Sequence, residues 1–236
     1  MLSAQRLNGS AAELSPSRAR QTVLMSFALS EFTRLRPFAY HVTNRQNAPA
    51  LQRSRHIRTT YSLLQSANRL DLLRQRRSDY VTLTTPDGIV VLKDQKPLIQ
   101  ANTALADGWD FGSYVAFLNG FTFFWPGTDL APIGPGRRLL GHYESDGPLV
   151  LRMPTADLLS ANRDATPEFC AFNSGAPRYN DGKPASRGAD LFTSARDFPR
   201  RASEVVELAF RTDVTLPTST AFRTAGGWSD FFTPVL

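Results

Sequence analysis

The stretch Phe38-Ala39-Tyr40-His41-Val42-Thr43-Asn44-Arg45-Gln46-Asn47 decides the fold, because an apolar strand in it is followed at once by compact polar side chains. The run of aromatic and β-branched residues from Phe38 to Val42 predicts a short strand. His41, Thr43 and Asn47 then bring an imidazole, a hydroxyl and an amide to the end of that strand. Such groups donate and accept hydrogen bonds and are suited to holding a nucleotide.

Helical patterns surround this strand. In residues 17–35 the apolar positions recur every three or four residues, which predicts an amphipathic helix, and Pro37 ends it. Residues 44–53 predict a second helix, with Pro49 tolerated in its first turn, and residues 61–73 a third. Residues 1–16 are rich in Ser, Ala and Asn and predict a flexible tail, and residues 17–236 a single domain.

The second half of the chain is richer in strands. The turn residues Pro86-Asp87-Gly88 predict a hairpin between two apolar runs. Helices are predicted at residues 102–119 and 155–161. The early helices and late strands together predict an α+β fold, not an alternating parallel sheet. The predicted strands are residues 80–83, 89–92, 121–125, 149–152, 168–172 and 205–210.

Composition excludes several classes of protein. The chain has 236 residues, of which 42% are hydrophobic and 20% charged, as is typical of a globular domain. It contains no window of about 18 uninterrupted apolar residues, so the sequence predicts no membrane partner. Cys170 is the one cysteine, which excludes an internal disulfide and a multi-thiolate zinc site. We expect Cys170 to be a buried small hydrophobic residue and the protein to be cytoplasmic.

Positive charge is concentrated in one segment. Residues 34–77 contain ten arginines and one acid, Asp71, which gives this segment a net charge of +9 in a chain of net charge +6. An arginine-biased genome can explain the arginine excess but not its clustering. A basic cluster of this kind indicates a phosphate-bearing ligand, either a dinucleotide or a nucleic-acid strand. The residues predicted to bind nucleic acid are Arg53, Arg55, Arg58, Arg74 and Arg76.

Common catalytic motifs are absent from the sequence. There is no Gly-x-Gly-x-x-Gly after a strand and no phosphate-binding loop of the Walker type. With three histidines and one cysteine the chain has no zinc motif, so we expect no metal. No Gly-x-Ser-x-Gly nucleophile turn occurs either.

Five segments in order resemble the DarT-type ADP-ribosyltransferase toxins, and more distantly the RNA 2'-phosphotransferases of the same superfamily. The motif His41-x-Thr43-x-x-x-Asn47 is similar to the opening of that family, and Arg76-Arg77 to its basic cluster. Phe123-Phe124-Trp125-Pro126 resembles its aromatic strand, and Phe172-Asn173-Ser174-Gly175-Ala176 its polar turn. Arg201-Ala202-Ser203-Glu204-Val205-Val206 resembles the element in which a glutamate precedes an apolar strand.

The chain resembles an uncharacterised bacterial branch near DarT more than DarT itself. Gly127-Thr128-Asp129 follows Pro126 at a position where DarT proteins carry an Arg-Ser-Pro turn. The resemblance implies a split central sheet, mixed or antiparallel, with flanking helices and an NAD cleft between its halves. It also implies transfer of ADP-ribose from NAD to DNA or RNA, in a toxin or anti-phage setting with a possible antitoxin partner.

The resemblance also assigns residues to roles. Glu204 is the expected catalytic carboxylate, acting as a general base. Arg77 is the expected catalytic arginine, and it or Arg76 beside it contacts the NAD phosphates or the acceptor strand. The alternative carboxylate is Glu207, although alternation in a strand from Val205 also allows Glu207 to be a solvated position. The residues expected to bind NAD are His41, Thr43, Asn47, Tyr61, Trp125, Asn173 and Ser174.

Two other functions remain open from the sequence. One is a non-catalytic module of the same fold that binds a nucleotide or a nucleic acid. The other is transfer of a phosphate from RNA 2' ends onto NAD, which requires several basic residues converging on one phosphate.

Overall fold

The computed structural model describes residues 26–177, 179–180 and 183–233. The predicted tail and much of the predicted helix over residues 17–35 lie outside these ranges. The described chain forms an α+β fold, as predicted. Its α-helices are α1 (Leu29–Leu35), α2 (Ala48–Ser54), α3 (Thr60–Ser66), α4 (Phe111–Asn119), α5 (Gly134–Tyr143) and α6 (Thr155–Ala161). Short 3-10 helices cover Arg45–Asn47, Leu70–Leu72, Gln100–Asn102, Glu144–Asp146, Ala189–Leu191 and Ala202–Glu204.

Fifteen strands are found in the described residues, and seven of them form one antiparallel sheet. Its strand order is β15-β14-β7-β1-β6-β12-β8. The sheet strands are β1 (Phe38–Thr43), β6 (Thr122–Gly127), β7 (Leu149–Pro154), β8 (Pro167–Cys170), β12 (Glu207–Phe210), β14 (Ala221–Thr224) and β15 (Gly227–Asp230). The other strands, which form two-stranded pairs, are β2 (His56–Ile57), β3 (Val81–Thr85), β4 (Gly88–Leu92), β5 (Ala104–Leu105), β9 (Tyr179–Asn180), β10 (Lys183–Pro184), β11 (Ser186–Arg187) and β13 (Val214–Thr215).

Strand β6 changes partner halfway along its length. Its last residues pair with β1, from Tyr40↔Trp125 to Phe38↔Gly127. Its first residues pair with β12, from Leu208↔Phe124 to Phe210↔Thr122. Strands β1 and β6 therefore separate after Tyr40 along β1, in the middle of the sheet.

Both faces of the sheet are covered by apolar clusters. Side chains alternate between the two faces along each strand, so neighbouring residues join different clusters. Ala39 joins a large apolar cluster that also contains Leu158 of α6, whereas its neighbour Tyr40 joins a cluster with Trp125. On the same face as Tyr40, helix α4 contributes Tyr114, Val115 and Leu118 to a third cluster, and α5 packs Leu139 and Leu140.

The hairpin predicted from Pro86-Asp87-Gly88 is confirmed. Strands β3 and β4 pair from Thr85↔Gly88 outward, which leaves a two-residue turn. Gly88 has φ +112°, a conformation that glycine adopts without steric cost. Leu64 of α3 packs on Leu83 and Leu92 of this hairpin and covers one side of it.

Three predicted helices were too long. The predicted helix over residues 102–119 begins only at Phe111, because Ala104–Leu105 form a strand and Gly108 has φ +81°. Helix α3 ends at Ser66, before Asn68 with φ +55°. In the described part of residues 17–35 only Leu29–Leu35 are helical. Apolar periodicity continues past the ends of the helices over residues 61–73 and 102–119. Pairing of Ala104–Leu105 in a strand and residues with positive φ limit these helices instead.

Helix α5 was not predicted at all. Its opening, Gly134-Pro135-Gly136, has the composition of a turn, yet proline is well suited to the first turn of a helix. Gly136 has a further reason to be glycine, since a Cβ there would come within 2.7 Å of the Trp125 Cβ. Within the described ranges, no helix has the length and apolar character needed to span a membrane.

Candidate functional site

A cavity of about 260 Å³ opens where β1 and β6 separate. Its walls come from the end of β1, the hairpin β3–β4, the end of α4, helix α5, the turn after β8 and the start of β12. This volume is slightly below the roughly 300–1,000 Å³ typical of small-molecule sites. The cavity is therefore large enough for a small molecule or for part of a larger one.

His41 lies at the separation of the two strands. Its Nδ1 is 3.0 Å from the Phe123 carbonyl oxygen of β6, so Nδ1–H donates and Nε2 is left as an acceptor. Burial lowers the pKa of His41 to about 4, with a smaller lowering by Lys93, against the raising effect of the Phe123 hydrogen bond. The ring is therefore neutral at physiological pH. Its hydrogen bond to the Phe123 carbonyl replaces the backbone pairing between β1 and β6, which ends at Tyr40.

Asn47 joins the end of β1 to the hairpin. Its Nδ2 donates to Thr43 Oγ1 at 2.8 Å and to the Val91 carbonyl at 2.9 Å, and its Oδ1 accepts from the Val91 N–H at 2.7 Å. The side chain is 5% exposed. Thr43 and Asn47 both line the cavity, and the Asn47 amide is used to hold β4 in place.

Glu207 lines the cavity on the side of β12, whereas two other lining carboxylates, Asp87 and Asp94, lie at the hairpin side. It is 3% exposed, and its Oε2 accepts a hydrogen bond from the Ser174 N–H at 3.0 Å. Burial raises the pKa of Glu207 to about 7, although hydrogen bonds from Ser174 and the charge of Arg187 lower it. The expectation that alternation could leave Glu207 solvated was wrong, because β12 lies between two strands and is buried on both faces.

Glu204, the expected catalytic carboxylate, lies outside the cavity. It ends the 3-10 helix before β12, and its Oε2 accepts from the Arg201 N–H at 3.1 Å in a capping box. Its Oε1 is 3.5 Å from Arg200 Nη1, and the Glu204 side chain is 45% exposed. Those contacts direct Glu204 towards solvent.

The hairpin-side wall of the cavity carries two cations, Arg77 and Lys93, beside two acids, Asp87 and Asp94. Arg77 lines the cavity and donates to the Lys93 carbonyl at 2.9 Å and to Asn119 Oδ1 at 3.0 Å. Burial lowers the pKa of Arg77 to about 10 and that of Lys93 to about 8. The Lys93 ammonium lies 3.4 Å from the centre of the Tyr143 ring. Arg76 is not part of this wall and donates to the Lys96 carbonyl.

The turn at Asn173 and Ser174 and the indole of Trp125 also line the cavity. Asn173 Oδ1 accepts from the Gly175 N–H at 3.0 Å, so this side chain shapes its own turn. Trp125 is 6% exposed, and its Nε1–H has no hydrogen-bond partner among the described residues. Tyr61 is 40% exposed and does not line the cavity.

Most of the arginines predicted to bind nucleic acid have partners within the protein. Arg58 pairs with Asp87 at 3.3 Å and with Asp213 at 3.5 Å. Arg74 pairs with Asp110 at 2.8 Å. Arg53 donates to the Asp87 carbonyl, and the Arg55 guanidinium lies 4.3 Å from the centre of the Phe232 ring. Folding therefore brings acids from elsewhere in the chain onto the segment that carries +9 in sequence.

Two charged residues near the cavity were not predicted from the sequence. They are Arg187, whose charge acts on Glu207, and Lys93, which lines the facing wall. Lys93 directly follows the apolar run of β4, and that position at a strand end was its detectable signal. Arg187 is 2% exposed and carries no local signal, since its burial depends on pairing between β11 and β5. Cys170 is 1% exposed, as predicted, and burial raises its pKa to about 12.

No metal centre is found in the described ranges, where no three His, Cys, Asp or Glu side chains are grouped to hold an ion.

The comparisons with other proteins yield one match. Neither the curated proteins nor the solved structures include a match to the chain. A family model described as a family of unknown function, DUF7002, matches residues 37–220. This range contains β1, the hairpin, α4 to α6, β12 and thus every cavity-lining residue. The chain therefore belongs to the DUF7002 family.

Proposed function

We propose that this protein is an ADP-ribosyltransferase that uses NAD as substrate and Glu207 as its catalytic carboxylate. The observation that carries the proposal is the burial of Glu207 in a cavity that His41 also lines. A buried carboxyl group with a raised pKa is a common feature of catalytic sites. Glu207, not Glu204, has that environment.

The charge of the ligand explains why a carboxylate is placed there. Among the described residues Glu207 has no ion-pair partner, so its ionised form is poorly stabilised in the free protein. The nicotinamide ring of NAD carries a positive charge. Bound beside Glu207, it favours the ionised form and returns the pKa of this carboxyl group towards its ordinary value.

The opposite wall is suited to the anionic part of the same substrate. Arg77 and Lys93 line the cavity and both have pKa values lowered by burial. A phosphate group near them stabilises their charged forms. The arrangement thus offers an anionic group to the nicotinamide end of NAD and cationic groups to its pyrophosphate.

The proposed reaction breaks the bond between nicotinamide and C1' of the ribose, and nicotinamide leaves as a neutral molecule with the bonding electron pair. The ionised Glu207 stabilises the positive charge that develops on the ribose. An acceptor nucleophile then bonds to C1', and Glu207 takes its proton as general base. His41 presents Nε2 as an acceptor for a sugar hydroxyl, and Thr43 lies beside it on the same strand.

We propose a nucleic acid as the acceptor, in a toxin or anti-phage setting, because the chain carries a net charge of +6. Binding to such an acceptor weakens steeply with added salt. A salt-insensitive interaction contradicts this part of the proposal without affecting the use of NAD.

The test is incubation with NAD labelled in its adenylate part, together with separate pools of DNA, RNA and protein. We expect label in a nucleic-acid pool with the wild type, none with Glu207→Gln, and wild-type labelling with Glu204→Gln. Glu204→Gln is the matched control, because glutamine preserves the capping box. Label in no pool contradicts the transferase, and loss of a 2'-phosphate from RNA without label identifies a phosphotransferase instead.

A further inference from the structure

Arg187 is a fully buried cation for which the proposed reaction has no direct use. Among the described residues it is the largest fully buried side chain, and it lies in β11, which pairs in parallel with β5. Burial of a guanidinium is costly unless its donors are satisfied. Among the described residues Nε of Arg187 has no partner, whereas Nη1 and Nη2 do, and those partners indicate what the side chain holds.

Those groups are the carbonyl oxygens of one turn. Arg187 Nη1 donates to the Ser174 carbonyl at 3.2 Å and to the Asn173 carbonyl at 3.5 Å, and Nη2 donates to the Ala176 carbonyl at 2.7 Å. Its guanidinium carbon lies 4.5 Å from the centre of the Phe172 ring. The planar fork of arginine can bind several acceptors at once in a fixed geometry, which a lysine cannot do.

The same turn supplies the hydrogen bond to Glu207. A trans peptide group directs its carbonyl and its N–H to opposite sides. In the peptide between Asn173 and Ser174, the carbonyl faces Arg187 and the N–H faces Glu207 at 3.0 Å. Tyr114 also holds this turn, because its hydroxyl donates to the Ser174 carbonyl at 2.9 Å.

We infer that Arg187 is a positioning residue, which clamps the turn at residues 173–176 so that the Ser174 amide holds the Glu207 carboxylate in the cavity. The inference rests on the proposed role of Glu207. Arg187 also acts through its charge, since it lowers the pKa of Glu207 against the larger effect of burial. Its removal therefore has two consequences, a looser turn and a carboxyl group that ionises at higher pH.

Two variants separate these consequences. Arg187→Met removes the charge and the donors with little change in volume, whereas Arg187→Lys keeps the charge and loses the fork. Infrared titration of the Glu207 carboxyl group, as the difference between each protein and the same protein carrying Glu207→Gln, needs no NAD. We expect the midpoint to rise by about one pH unit in Arg187→Met, which loses the charge and loosens the Ser174 hydrogen bond, and to rise by less in Arg187→Lys, which keeps the charge. An unchanged midpoint in a folded Arg187→Met overturns the electrostatic part of the inference.

Amide hydrogen exchange at Ser174 tests the clamp, again without reference to activity. We expect exchange about tenfold faster or more in Arg187→Lys, because a single nitrogen on a shorter side chain cannot occupy the positions of both Nη1 and Nη2. The pH at which kcat/KM falls on the acid side should shift by the same amount as the infrared midpoint. We also expect a lower kcat in both variants. Wild-type exchange and wild-type kcat in Arg187→Lys overturn the positioning role, and this variant decides if Arg187→Met does not fold. Failure of the transferase proposal is recognised separately, because it removes activity from the wild type and leaves both spectroscopic results intact.

Discussion

Two glutamates three residues apart, Glu204 and Glu207, have opposite environments. Glu204 ends a short helix at the surface and is held by a backbone N–H and an arginine. Glu207 begins a strand that neighbouring strands and helices cover completely, and it lines the cavity. The difference shows that the chemistry of a carboxyl group is set by the element into which the next few residues fold. Because a central strand begins between the two positions, Glu204 caps a surface helix whereas Glu207 is a candidate catalytic residue.

The largest effect expected from this comparison is on the pH dependence of the transferase reaction. If Glu207 must be ionised in the free enzyme, kcat/KM falls about tenfold for each pH unit below the pKa of about 7. Between pH 7 and pH 5 the loss is about fiftyfold, because half of the Glu207 carboxyl groups are already protonated at pH 7. Glu204→Gln should show the same fall of kcat/KM at low pH as the wild type. Steady-state kinetics across this range make the measurement, and a profile flat down to pH 5 contradicts the assignment of Glu207.

The next effect is on stability. The pKa of Glu207 is raised from 4.5 to about 7, so between these pH values the native protein keeps a proton that the unfolded chain has released. Stability contributed by this group therefore falls as pH rises from 4.5 to 7. Glu207→Gln should remove that loss and raise the free energy of unfolding at pH 8 by up to about 3 kcal/mol.

Urea unfolding at pH 4 and pH 8 measures this difference, with Glu204→Gln as the control that should match wild type at both. Equal stability of Glu207→Gln and wild type at pH 8 would show that the carboxylate is better solvated than its burial indicates. The same variant lacks the proposed activity, so stability and catalysis should change in opposite directions.

His41 should show the opposite dependence on pH. Its pKa is lowered from 6.5 to about 4, so between these values the unfolded chain binds a proton that the native protein excludes. Stability contributed by His41 is thus lost as pH falls from 6.5 to 4. Because the ring is only half-buried, we expect His41→Gln to reduce this acid sensitivity by about 1–2 kcal/mol. Chemical unfolding at pH 4.5 and 7 measures this difference, and equal acid sensitivity in the two proteins argues against a neutral imidazole at position 41.

The smallest effect should come from the surface ion pairs of the basic segment. Arg74 and Asp110 form a pair whose side chains are 58% and 65% exposed. We expect Arg74→Gln to change the Tm by no more than about 2 °C, and by less in high salt. Thermal unfolding at two salt concentrations provides the measurement. A larger, salt-independent loss would place Arg74 with the buried charges and weaken the contrast between surface and cavity.

The parts of the fold that could be predicted were those with strong local signals. Strand β1, the Pro86-Asp87-Gly88 hairpin and helix α6 follow from apolar runs, turn residues and helical periodicity. Helix α5 could not be predicted, because its glycine at position 136 is explained by the distant Trp125. Strands as short as β5 and β11 exist only because they pair with each other.

Several residues that were singled out from the sequence lie together in the structure, and their roles stay predictions. His41, Thr43, Arg77, Asn173 and Ser174 all line the cavity. The choice between two glutamates depended on where β12 begins, and a strand boundary is not fixed by propensity. The roles of Lys93 and Arg187 depend on burial by elements far away in sequence. Charge could be counted from sequence, but its neutralisation by Asp87, Asp110 and Asp213 could not.

The exchange of partners along β6 also bears on how the molecule moves. Among the described strands, β6 is the one shared by the two parts of the sheet, and the contact with β1 covers only three residue pairs. Each part can then open with its own free energy, and the two need not open together. A molecule bound between His41 and Glu207 spans this junction and links the two openings into one. Slower amide exchange in β8 and β7 together on ligand binding would be the signature of such a coupled pair of folding units.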